Sequence, residues 1–275
     1  MKKKVLTLCL VVALAATAII GGTMAYFTDK DAQKNTFTTG NVTIDLFEDF
    51  GDNDADGIEK LIPATGSAKA GTLKNGVEKE VYVENTGSEA AYVRVHIAIP
   101  TVLDDGDPTF NAGNNVLHFN YADGTTTSYP NATIGAGMWN WSKSYGAPYD
   151  GDWNFYTTTI GGISYNVYVV TYETALTNGQ RTNDAIHQVY LDSKVTNEDI
   201  TKIKNGDENA TTDAAKKGLG DNWYIYVAAE GAQAAGFDNA YDALNTAFGT
   251  PGSYSVDWTT VTGKTWVDTT SANGK

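Results

Sequence analysis

The stretch Ala91-Tyr92-Val93-Arg94-Val95-His96-Ile97-Ala98-Ile99 decides the fold class. Ala91, Val93, Val95, Ile97 and Ile99 fall on one parity, and Tyr92, Arg94 and His96 on the other. Successive side chains of an extended chain point to opposite faces, so this period of two predicts a strand with one buried face. The same alternation recurs outward from it. Val42, Ile44 and Leu46 are opposed by Thr43 and Asp45, and Val81 and Val83 by Glu80, Tyr82 and Glu84. Ile163, Tyr165, Val167 and Val169 alternate with Ser164, Asn166 and Tyr168. Val189 and Leu191 predict a further strand, and Trp223, Ile225 and Val227 a late one. Turn signals such as Asn85-Thr86-Gly87-Ser88 and Asn178-Gly179 separate these runs. Six or more short alternating strands with turns between them predict an all-β sandwich or jelly roll.

Composition agrees. The chain has 275 residues, 41% of them apolar, with 16 Tyr, 6 Trp and 9 Phe against 3 Met. Aromatic and β-branched residues suit a pleated, half-buried surface. Helical signals are few. Thr196-Asn197-Glu198-Asp199 has the form of a capping box opening a short helix that ends near Gly206. Phe237, Ala240, Tyr241, Leu244 and Phe248 recur at helical spacing until Gly249 and Pro251 stop them. That amphipathic helix is expected to cover one end of the sandwich.

Residues 1–25 read as a signal peptide. Lys2, Lys3 and Lys4 are followed by an apolar run over residues 5–20, and Thr23-Met24-Ala25 sets small residues at the −3 and −1 positions. Cleavage between Ala25 and Tyr26 leaves residues 26–275 as a single domain; the alternative is an uncleaved N-terminal anchor. Removing the three lysines takes the basic count from 19 to 16 against 33 acidic residues, a formal charge of −17. Such a charge argues against nucleic acid and anionic lipid as partners. Cys9, the only cysteine, leaves with the apolar run, so the mature chain has no disulfide and no thiol nucleophile.

Four stretches together resemble the TasA and camelysin family. Gly21-Gly22-Thr23-Met24-Ala25-Tyr26-Phe27-Thr28-Asp29 is similar to export signals handled by the SipW-type signal peptidase. Asn35-Thr36-Phe37-Thr38-Thr39-Gly40-Asn41-Val42 resembles the family's first mature strand. The run from Val83-Glu84-Asn85-Thr86-Gly87-Ser88 to Val95 resembles its strand-turn-strand core, and Val227-Ala228-Ala229-Glu230-Gly231 onward its closing strand. The stretch 105–160 carries no resemblance and reads as a family-divergent, aromatic-rich insertion. The resemblance implies a jelly roll, export to the extracellular matrix or cell surface, a SipW-type peptidase as partner and, as in TasA, assembly into biofilm matrix fibres.

Physical reasoning supplies a route to such fibres. Cleavage frees the segment ahead of a strand running from Phe37 through Val42 and Ile44 to Leu46. A free segment beside a sheet edge can pair with a neighbouring copy, and a head-to-tail contact of this kind propagates. The alternative is that the strand folds back into its own sheet and the chain stays monomeric.

Three other motifs bear on chemistry. Asp52, Asp54 and Asp56, followed by Gly57, have the alternate spacing of a calcium loop, but Pro63 stands where a closing bidentate Glu belongs. The alternative is a solvated acidic turn. Trp139, Trp141 and Trp153 lie in an aromatic-rich stretch that either stacks on sugars, as in a monomeric carbohydrate-binding module, or packs as a local core. A camelysin-like metallopeptidase needs clustered ligands. His96, His118 and His187 stand far apart, with no His-Glu-x-x-His spacing and no Gly-x-Ser-x-Gly elbow. These observations predict a structural, non-catalytic protein, with other matrix components as further possible partners.

Overall fold

A computed structural model describes residues 40–49, 61–65, 74–104, 116–120, 139–145, 154–221, 223–254 and 256–258. All belong to one compact unit spanning Gly40–Lys275. The strands are β1 (Ile44–Asp49), β2 (Val77–Asn85), β3 (Ala91–Pro100), β4 (Leu117–Asn120), β5 (Trp139–Asn140), β6 (Phe155–Ile160), β7 (Ile163–Leu176), β8 (Ile186–Leu191) and β9 (Tyr226–Gln233). Among the described residues three short helices follow: α1 (Asn197–Asn205), α2 (Asp213–Lys217) and α3 (Ala240–Phe248).

Two antiparallel sheets form an all-β sandwich. The first has the order β1-β2-β8-β4; the second runs β5-β7-β3-β9, with β6 pairing β7 as well. The decisive stretch is β3, central in the second sheet between β7 and β9. Its inward residues Val93, Val95, Ile97 and Ile99 are fully buried against Val81 and Val83 of β2 and Ile186 and Val189 of β8. Burying a side chain of this size contributes about 1.5–3 kcal/mol. Gly161 and Gly162 turn β6 into β7, both at positive φ (58° and 81°), as a two-residue hairpin with the right twist requires.

The second sheet is buried on its outer face too, because α3 and the residues after it lie across that face. Ala240, Ala243 and Leu244 of α3 pack with Ala232, Tyr92 and Phe237. Further along, Trp258 packs with Ala98, Tyr165, Val167 and Ala228. The helix therefore covers a sheet face and not an end of the sandwich, which corrects the expectation from sequence. An amphipathic stripe says that a helix must be covered, but not by which part of a sheet.

Some boundaries also move. The first strand begins at Ile44, with Val42 just outside it and Phe37 outside the described residues. The late strand begins at Tyr226, so Trp223 and Ile225 precede it. The stretch 105–160 supplies β4 to one sheet and β5 and β6 to the other, so its described parts belong to the sandwich itself. The capping box forms as expected: Asp199 N donates to Thr196 Oγ1 at 3.2 Å and Thr196 N to Asp199 Oδ2 at 2.8 Å.

Candidate functional site

Two places in the sandwich combine unusual residues with tight geometry: the edge formed by β1 and a buried polar cluster on the outer face of the second sheet.

β1 pairs with β2 through Ile44↔Asn85, Leu46↔Val83 and Glu48↔Val81. Among the described residues it has no other strand partner, so one of its two sides faces away from the sheet. Ile44 and Leu46 turn inward onto the core, and Lys79 Nζ meets Glu48 Oε2 at 2.7 Å near the far end. The outward residues Phe47 and Tyr82 stack at 4.9 Å, with the Arg181 guanidinium over the Tyr82 ring. In the single chain, then, the strand folds back into its own sheet.

The chain entering β1 is clamped by the β2–β3 corner. Thr86 N and Gly87 N both donate to Thr43 O, at 2.9 and 3.0 Å, and Glu89 N donates to Asn41 O at 3.2 Å. Asn85 organises the corner from inside. Its Nδ2 donates to Leu176 O (2.7 Å) and Glu89 O (2.8 Å), and its Oδ1 accepts from Gly87 N (2.9 Å). Gly87 has no room for a side chain: a Cβ there would lie 2.5 Å from Asn41 O and from Thr43 N. The Asn-Thr-Gly motif is thus the point where both sheets and the N-terminal strand are tied together.

The polar cluster is assembled from four elements and the C-terminal segment. Arg94 and His96, the non-core face of β3, are 2% and 0% exposed. Arg94 Nε donates to Glu230 Oε2 of β9 at 2.6 Å, Nη1 to Asn245 Oδ1 of α3 at 2.9 Å, and Nη2 to Gly249 O (3.0 Å) and Tyr254 Oη (2.8 Å). The Tyr254 hydroxyl in turn donates to Glu230 at 2.7 Å. Burial would raise the Glu230 carboxyl, but hydrogen bonds from His96 and Tyr254 and the Arg94 charge outweigh it and hold it down to about 2. Burial is also the main cause lowering the His96 imidazole below its usual 6.5, against the raising pull of Glu230. The neutral ring donates from Nε2 to Glu230 (3.1 Å) and accepts at Nδ1 from Tyr156 Oη (3.2 Å). Burial and Glu230 push the Tyr254 phenol upward, so it stays protonated.

This donor set does not fit a catalytic metal. Among the described residues no three His, Cys, Asp or Glu side chains stand together to hold one. Both His96 nitrogens are engaged, and the Arg94 cation occupies the carboxylate a metal would share. Positive charge at that position opposes a second cation.

Of the residues singled out from sequence, Trp139 and Trp141 are brought into the core, 8% and 1% exposed. Trp139 packs edge-on against Tyr172 at 5.2 Å and donates to Asn183 O, and Trp141 packs on Tyr168. Rings so covered cannot stack on a sugar, which corrects the carbohydrate reading for these two in favour of a local core. Trp153, Asp52, Asp54, Asp56, Ala25 and Tyr26 lie outside the described residues, as do the side chains of His118 and His187.

The architecture defines an antiparallel β-sandwich protein whose first described strand lies at a sheet edge among the described residues. Residues 1–85 match the family described as camelysin metallo-endopeptidase, and the match ends at the last residue of β2. It supports the resemblance to the TasA and camelysin family. No curated protein matches the chain.

Proposed function

We propose that the chain is a secreted structural protein of the extracellular matrix or cell surface, which assembles into fibres by exchange of its N-terminal segment from Tyr26 to Leu46. One observation carries this reading: among the described residues, β1 is the first strand and lies at a sheet edge, attached to the rest of the fold by one backbone ladder. Backbone ladders recognise extended chain with little regard to sequence. A neighbouring copy's β1 can therefore replace the chain's own without loss of hydrogen bonds. The family match over residues 1–85, which includes this strand, supports the same reading. The reading is non-catalytic. A SipW-type signal peptidase would release the strand, and calcium at Asp52, Asp54 and Asp56 would act, if bound, just beyond its end.

The test is deletion of residues 26–35 from the processed chain, followed by negative-stain microscopy. Loss of filaments with the sandwich still folded is expected. Filaments as abundant as those of the complete chain refute strand exchange.

A further inference from the structure

β9 (Tyr226–Gln233) ends the second sheet, with β3 as its strand partner among the described residues. Its bonding can be followed residue by residue. Ala234 N donates to Ala90 O at 2.8 Å just past the strand, and the register sets Ala232 opposite Tyr92, Glu230 opposite Arg94 and Ala228 opposite His96. Antiparallel pairs alternate between bonded and unbonded. Counting back by twos from Ala234, the N–H and C=O of Ala232, Glu230 and Ala228 turn towards β3. Those of Val227, Ala229 and Gly231 turn away, and no described residue bonds to this outward row. Proteins blunt an open edge with a bulge, a proline, a lysine or a very short strand. β9 has eight residues, an unbroken register with β3 and neither proline nor lysine, and its one charge, Glu230, is spent on Arg94.

An exposed aromatic surface adjoins this edge. Tyr224, 54% exposed, stacks on Tyr226 at 5.8 Å, and Tyr226 packs on the niche where Trp258 meets Ala98, Tyr165, Val167 and Ala228. Trp258 is the last described residue, so residues 259–275 depart from beside both features. Fully extended they reach about 56 Å, against roughly 27 Å for an eight-residue strand. Thr259-Thr260-Val261-Thr262 and Thr265-Trp266-Val267-Asp268-Thr269-Thr270 are rich in β-branched residues and carry one large ring. The chain before β1 takes another course. Ile44 lies against Gly231 and Asn41 against Glu89, so that chain heads past the Ala234 end of β9 and off the sheet. We propose that residues 259–275 are a strap that pairs with the outward row of β9 and sets the Trp266 ring against Tyr224. The ladder closes this edge of the second sheet to other chains. It is built without the N-terminal segment, so it stands or falls separately from strand exchange.

The test is amide hydrogen exchange, read by NMR on the processed chain and on one ending at Trp258, which keeps the niche and the Arg94 cluster. Val227, Ala229 and Gly231 are expected to be protected in the complete processed chain. Truncation is expected to speed their exchange roughly tenfold or more, with Ala228, Glu230 and Ala232, bonded to β3, changing less. A synthetic peptide of residues 259–275 added to the shortened chain is expected to restore protection. Trp266→Ala in the complete processed chain is expected to give a smaller rise, and it decides the matter should truncation unfold the sandwich. Four results overturn the proposal. The outward row could exchange equally with and without the tail, or be unaffected by Trp266→Ala. Protection lost on deleting residues 26–35 in place of 259–275 would make the N-terminal segment the occupant. Protection that appears only as protein concentration rises would make it a second copy.

Discussion

β1 and the segment after α3 both close over the sandwich, but different kinds of bond hold them. β1 is joined by a backbone ladder and a backbone clamp at the Asn-Thr-Gly corner. The residues after α3 are joined mainly through side-chain groups: Tyr254 Oη meets Arg94 and Glu230, Gly249 O accepts from the Arg94 guanidinium, and Trp258 is seated in an apolar niche. A ladder is indifferent to whose strand fills it. A set of paired, buried charges accepts only the groups that complete it. The N-terminal edge is therefore suited to exchange between copies, and the C-terminal cover to staying in place.

The comparison breaks most sharply at Arg94. Replacing it with Ala leaves Glu230 and His96 without their common cation, and truncating one partner of a buried pair costs about 3–5 kcal/mol. Urea unfolding is expected to show a loss of that size. Native-state hydrogen exchange is expected to rise first in α3 and not in β1. Equal loosening of both would mean that the two attachments are not separate.

A smaller effect sharpens the other side. Gly87→Ala would set a Cβ against the backbone of residues 41–43, where only backbone movement can relieve it. Overpacking of this kind costs about 1–3 kcal/mol. Exchange is expected to quicken in β1 while the cluster stays protected. Because β1 is then held less firmly by its own chain, filaments should also form faster.

Acid probes the cluster alone, more gently. His96 has a folded pKa below the unfolded value of 6.5, so the unfolded chain takes up the proton first. The contribution is fully present above pH 6.5 and is lost as pH falls below it, by about 1.4 kcal/mol per pH unit until the folded group titrates. Glu230 adds a second loss between 4.5 and about 2. Urea midpoints at pH 7.5 and 5.5 are expected to fall in the native chain and to change less in His96→Gln.

Strand alternation made most of the sandwich legible, because β2, β3 and β7 each bury one parity of side chains between the sheets. The capping box at Thr196 and the stop at Gly249 were equally readable, being local. β4 and β5 were not: four and two residues long, they are too short for a period to register. The polar cluster was hidden for another reason. Arg94 and His96 sit on the parity that an isolated strand offers to water, and their partners Glu230 and Tyr254 lie 136 and 160 positions from Arg94. Two ionisable residues, Arg94 and His96, within the most apolar strand were the available hint that its second face is covered as well. The tryptophans misled because composition reports that a ring exists, but not which side of the sheet it takes.

Strand exchange is tested most directly by asking whose β1 fills whose ladder. Asp45 and Glu84 stand directly opposite one another on the outward face of β1 and β2, and residues 26–275 contain no cysteine. Chains carrying only Asp45→Cys are mixed with chains carrying only Glu84→Cys, allowed to assemble, and oxidised. The account predicts covalent heterodimers joined at these two positions; their absence from assembled material, with monomers alone recovered, would contradict it.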